Sequence, residues 1–144
     1  MKGRCFMRPD PAAEVLLSMA EKDFVTVGKM AADVEFADEV FGFHAQQAAE
    51  KAAKAMLAAK GISFERTHDL ETLFDALEEN GCIAGEAFSG LIDLTDFAVQ
   101  YRYQAFDEID ANLDRDAVTD EVFRFLERAR ETVRNISSSG RTDE

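Results

Sequence analysis

The stretch FHAQQAAEKAAKAMLAAKG, residues 43–61, limits the fold more than any other part of this chain. Alanine is the strongest helix former, and its small side chain lets a neighbouring backbone come close. Only two prolines occur, Pro9 and Pro11, so everything after them is free of the strongest helix breaker. No segment alternates between polar and apolar residues as a half-buried strand does. The pattern predicts an all-α fold, an antiparallel up-and-down helical bundle of four to five helices. With 144 residues, one such bundle is expected over residues 10–136. Residues 1–9 form an N-terminal extension, and SSSGRTDE (137–144) is a polar tail too poor in apolar groups to fold.

Each helix has start and stop signals. RPDPAAE offers Asp10 as N-cap, Pro11 at the first helical position and Glu14 at the positive end of the dipole. Ala12, Val15, Leu16, Met19, Thr26 and Met30 recur at helical spacing as its buried stripe, and Asp23 falls on the same stripe. The second helix, about Asp38 to Lys60, stops at Gly61. Phe41, Ala45, Ala48, Ala49, Ala52, Met56 and Ala59 share one side of it. Phe36, Val40, Phe43 and Leu57 lie on others, so this helix is either central to its own bundle or shared with a partner; a homodimer is expected. A short third helix has Thr67 as N-cap, an apolar face of Leu70, Leu73, Phe74 and Leu77, and Asn80-Gly81 at its end. The fourth runs from Ile83 or Gly85 to Gln104 on Ala84, Ala87, Phe88, Leu91, Thr95, Ala98 and Ala105. The fifth spans Asp116 to Ile136 on Val118, Val122, Phe125, Leu126, Ala129, Val133 and Ile136.

Charge and composition exclude several functions. The formal net charge of −13 repels a phosphate backbone, so no duplex nucleic acid is expected as partner. Cys5 and Cys82 are far apart and only two histidines are present, which argues against a disulfide framework and against a metal site. The basic N-terminus has no apolar run behind it, and no stretch reaches bilayer length, so a cytoplasmic protein with no membrane partner is expected. There is no phosphate-cradling glycine loop and no nucleophile elbow. Any nucleotide must be held by side chains.

Polar residues that fall on apolar stripes are the candidates for function. At about 100° per residue, Arg102 lies within about 20° of Leu91, in the middle of the fourth stripe. A guanidinium keeps its charge, so inside a bundle it needs a carboxylate, a phosphate or carbonyls. Asp23 on the first helix answers that need. The plain alternative is a structural ion pair or a stem that packs while its head reaches water. On the second helix His44, Gln47 and Lys51 share one edge, the spacing for a base- or sugar-orienting pair beside a phosphate-binding ammonium. The alternative there is a solvated edge with Lys51 balanced by acids such as Glu50. His68 falls in the first turn of the third helix, with its ring expected on a loop carbonyl. Glu50–Lys54 reads as an i, i+4 pair that stabilises the helix slightly and needs no function. Arg124, Arg128, Arg130 and Arg134 alternate with Glu121, Glu127 and Glu131 as a mixed solvated face.

FHAQQAAEKAAKAMLAAKGISFERTHDL followed by LTDFAVQYRY resembles the HEPN domain family of prokaryotic helical proteins, over nearly the whole chain from AEKDF (20–24) onward. The family fold, four long helices with additional short ones, agrees with the helix count reached from periodicity. The resemblance implies a protein encoded beside a minimal nucleotidyltransferase in a toxin–antitoxin-like pair, and it implies nucleotide binding. It also implies a ribonuclease branch, whose motif is an arginine with a histidine roughly four to six residues later. Here Arg102 is followed by YQAFDEID, and no histidine occurs after His68. The general base of that mechanism is missing.

The expected function is therefore non-enzymatic, with no catalytic residue and no cofactor beyond a nucleotide ligand such as ATP. Arg102 and Lys51 would hold phosphate, Gln47 and His44 would orient a base or sugar, and Asp23 would fix the arginine. The alternatives are a metal-independent ribonuclease using Arg102 with a displaced base, His44 or His68, and a purely structural dimerisation module.

Overall fold

The computed structural model describes residues 10–64, 66–97 and 113–142, with side chains in the last segment followed to Ile136. Its elements are α1 (Ala12–Ala31), α2 (Asp38–Ala59), α3 (Leu70–Glu79), a 3-10 helix (Ser89–Leu94) and α4 (Arg115–Thr142). Among the described residues there is no strand. The all-α bundle expected from the sequence is what the chain forms.

Asp10 does the capping expected of it: its Oδ1 accepts the N–H of Ala12 at 2.8 Å, and its carbonyl takes that of Ala13. The face that α1 buries is only partly the expected one, with Met30 buried and Leu16 packed against the core as expected. Ala13, Ala20, Val27 and Met30 are buried, with Leu17 and Phe24 packed beside them, whereas Ala12 is exposed, Val15 is 61% exposed and Met19 42%. The apolar residues of α1 run round much of its circumference, so periodicity alone does not choose among them. Burying Ala13 and Ala20 lets α1 lie close on the alanines of α2, and larger side chains are turned outward.

α1 and α2 run antiparallel, with the N–H of Asp10 bonded to the carbonyl of Ala58 at one end and Asp23 opposite Lys51 further along. α4 returns along both. It starts where Arg115 meets Asp38 and ends its buried run with Val133 packed beside Ala13, Ala55, Ala58 and Ala59. α2 touches α1, α3, α4 and the 3-10 helix, and is buried from Phe41 to Ala59 on most of its circumference. Of its other apolar residues, Leu57 is buried and Val40 packs against the core, while Phe43 is half-buried; Phe36, in the loop before it, is 39% exposed.

Both interior glycine stops behave as predicted. Gly61 and Gly81 have φ of 68° and 72°, and the next residue in each case sends its N–H back to close the helix, Ile62 to Leu57 at 2.9 Å and Cys82 to Leu77 at 2.8 Å. α3 begins later than expected. Its N-cap is Asp69, whose carboxylate accepts the N–H of Glu71, while Thr67 Oγ1 receives the N–H of Asp69. A carboxylate stabilises the positive helix end better than a hydroxyl. The core centres on Phe125 of α4, with Phe74 and Phe88 each at 4.9 Å between ring centroids.

The fourth helix does not start at Ile83 or Gly85. Residues 83–88 are turns and bends, Ala84 and Ala87 are exposed, and the chain tightens into the 3-10 helix before helical backbone at residues 95–97. There the chain closes on α2: a Cβ on Gly42 would lie 2.6 Å from the ring of Phe97. Ala98, Arg102 and Ala105 lie outside the described residues. α4 continues past Ile136 to Thr142, so much of the segment expected as an unfolded tail is helical. Adding residues to an existing helix costs little compared with starting one.

Among the described residues, no helix is long and apolar enough to cross a membrane.

Candidate functional site

Between Phe43 and Lys54 one side of α2 turns polar, bounded by α1 on one flank and by the loop before α3 on the other. On the α1 flank, Lys51 Nζ lies 2.6 Å from Asp23 Oδ2, with the two side chains 21% and 20% exposed. Asp23 therefore pairs with Lys51; Arg102, the partner expected for it, lies outside the described residues. Nearby, Gln47 Nε2 donates to Gln46 Oε1 at 2.7 Å. His44 is half-buried, its ring edge-on to Phe43 with centroids 5.4 Å apart. The edge that spacing assigned to His44, Gln47 and Lys51 is one continuous edge, with Asp23 brought to it from α1.

The other flank holds groups that sequence reasoning undervalued. Gln46 is fully buried, and its Nε2 donates to Glu50 Oε1 and to the carbonyl of His68, both at 2.9 Å. Glu50 is only 4% exposed. Its Oε2 takes Lys54 Nζ at 3.0 Å and its Oε1 meets His68 Nδ1 at 2.9 Å. So Glu50–Lys54 is not an ordinary surface pair, and His68 is neither within α3 nor directed by its ring to a loop carbonyl. Its ring is on a carboxylate, and its own carbonyl is the acceptor.

A carboxylate in this position is costly unless several donors face it. Burial pushes the Glu50 pKa up, but bonds from Gln46, His68 and Lys54 outweigh it and hold the group below the ordinary glutamate value. Glu50 is thus ionised at neutral pH and only accepts, so Nδ1 of His68 must be the donor. The tautomer follows: a neutral His68 carries its hydrogen on Nδ1 and leaves Nε2 as a lone-pair acceptor. A helical count puts Gln46 between Ala53 and Leu57 around α2, about 20° from each, and Glu50 about 20° beyond Leu57, and that was the signal available for their burial.

The inward-held cation sought in Arg102 has a counterpart in Arg115, the first residue of α4. Its Nε donates to Asp38 Oδ1 at 2.7 Å, and Nη1 to the carbonyls of Met30 and Asp33 at 2.8 and 3.1 Å. Nη2 donates to the carbonyl of Phe36, and the guanidinium lies 5.5 Å from the centroid of the Phe41 ring. Every contact is internal, which makes Arg115 a clamp rather than a ligand site. Further along α4, Arg124 pairs with Asp120, Arg128 with Glu131 and Arg130 with Glu127 and Glu21, the mixed face expected there. Arg128 also donates to the carbonyl of Cys82 at 2.9 Å. Among the described residues, no group of three or more His, Cys, Asp or Glu side chains is placed to hold a metal ion.

The site thus consists of a buried, fully bonded carboxylate, a histidine whose side chain is 51% exposed, and two lysines each matched by an acid. Chemically, that arrangement offers hydrogen-bonding groups on one flank and charge on the other. No curated protein and no solved structure matches the chain. The model of the HEPN domain matches residues 13–138, from the first turn of α1 through nearly all of α4, and the chain belongs to the HEPN domain family.

Proposed function

We propose that this HEPN domain is a non-enzymatic module that binds a nucleotide and works beside a minimal nucleotidyltransferase in a toxin–antitoxin-like pair. The observation that carries the reading is the polar edge of α2. Lys51 is held in place by Asp23 at 2.6 Å and Gln47 by Gln46 at 2.7 Å, so the ligand-facing groups are positioned before anything binds. Lys51 and Arg102 take phosphate, Gln47 and His44 orient the base or sugar, and Asp23 steers Lys51. The strongly acidic surface favours a small ligand over a nucleic acid strand.

Titration calorimetry of the full chain with ATP and GTP tests this. Binding by wild type is expected to weaken by about tenfold in Lys51→Ala and again in Arg102→Ala, the loss of one charge-assisted contact each. Absence of heat with both nucleotides in wild type removes the reading.

A further inference from the structure

We infer that the outer edge of His68 is a hydroxyl-recognition site, at which Nε2 accepts a ribose O–H of the nucleotide bound along α2. The inference rests on the nucleotide reading and goes further, because it names the sugar as the part recognised and separates ribonucleotides from their deoxy analogues.

Three observations support it. Glu50 is buried and bonded to Gln46, Lys54 and His68, so both of its oxygens are committed inside the fold. Its Oε1 holds Nδ1 of His68 at 2.9 Å, which fixes both the plane of the ring and its tautomer. The His68 side chain is nevertheless 51% exposed, and with Nδ1 turned to the buried acid the exposed edge is the one carrying Nε2. Among the described residues Nε2 has no partner. A carboxylate-backed imidazole with a bare outer nitrogen is an acceptor built in advance, the arrangement that draws a hydroxyl proton toward itself in hydrolase triads.

The ligand must then supply a donor. Ionised phosphate oxygens have none to give. In an adenine nucleotide the base amine is a weaker acid than a sugar hydroxyl, and the hydroxyls lie nearer than that amine to the phosphates that Lys51 takes. His68 stands on the other flank of α2 from Lys51 and is connected to Lys54 through Glu50, whose second oxygen Lys54 occupies.

The test is calorimetry on the full chain at about pH 8, where a free imidazole is neutral, with ATP, 2′-deoxy-ATP and 3′-deoxy-ATP. Wild type is expected to bind one deoxy analogue about tenfold more weakly than ATP. His68→Phe, which keeps the ring but removes the acceptor, should bind all three alike. Nitrogen NMR of the wild-type ring should show a protonated Nδ1 and a bare Nε2, a reading independent of any variant's folding. Equal binding of the three ligands by wild type overturns the inference and leaves the nucleotide reading intact. The opposite tautomer also overturns the inference, and binding of none of the three ends both.

Discussion

Glu50 shows how one residue can carry both stability and pH dependence. Its folded pKa lies below the ordinary value of 4.5 because burial is outweighed by three donors. The stabilisation is fully present above the ordinary value and is lost as pH falls through the depressed one. Glu50→Gln keeps an acceptor for Gln46 but leaves Lys54 without its counter-charge. It should cost about 1–3 kcal/mol at neutral pH and flatten the acid limb of the stability curve, measured by urea unfolding as pH is lowered. An unchanged acid limb would mean that Glu50 is not paired as described. Glu121 has the opposite sign. Burial raises its pKa, and Arg124 together with the N–H of Gly90 lowers it only partly. Folded Glu121 thus holds its proton to higher pH than the unfolded chain does, so stability falls as pH rises from the ordinary value through the raised one. Glu121→Gln keeps a carbonyl for Gly90 and removes the charge. Its unfolding midpoint should rise at neutral pH, and the gain should vanish in acid.

At the scale of elements, the helix interiors give matched tests of packing. Gly28 in α1 has nothing within 4 Å of where a Cβ would stand, while Gly42 in α2 has the Phe97 ring at 2.6 Å. Gly28→Ala should stabilise by about 0.5–1 kcal/mol through helix propensity alone. Gly42→Ala receives the same gain but forces the ring aside, and overpacking costs about 1–3 kcal/mol, so the net effect should be destabilising. Equal effects in thermal unfolding would show that α2 and Phe97 do not approach so closely. The same contrast explains what could be read from the sequence. The stops at Gly61 and Gly81 and the apolar faces of α3 and α4 are set by local pattern, and they were legible; the several apolar sides of α2 were legible too, but not whether its own chain or a partner covers them. The face of α1 was legible only in part, because Ala13 and Ala20 are buried by what they meet on α2, and no periodicity contains that partner. The site divides likewise. Spacing put His44, Gln47 and Lys51 on one edge, but Lys51 to Asp23 and Glu50 to His68 are pairings across the bundle, invisible to a count along one helix.

For the molecule as a whole, the chain has to bring α4 back to the α1–α2 hairpin, and Arg115 makes the join. One guanidinium collects Asp38 and the carbonyls of Met30, Asp33 and Phe36, gathering the end of α1, the following loop and the start of α2 at the head of α4. The placement runs against the helix dipole, since a cation in a first turn meets the positive end. The carboxylate of Asp38 and the ring of Phe41 offset that repulsion, and the planar fork satisfies several acceptors that a point charge cannot reach together. Arg115→Lys therefore separates charge from shape. The lysine keeps the attraction to Asp38 but leaves most of the carbonyls without a protein donor, and a loss of about 2 kcal/mol is expected. Hydrogen exchange locates the effect: amides in residues 33–38 and the first turn of α4 should lose protection, while those of α2 beside α3 keep theirs. If charge alone held the join, lysine would match arginine in both stability and protection. The fork geometry, and with it the account of how the last helix is seated on the first two, would then be wrong.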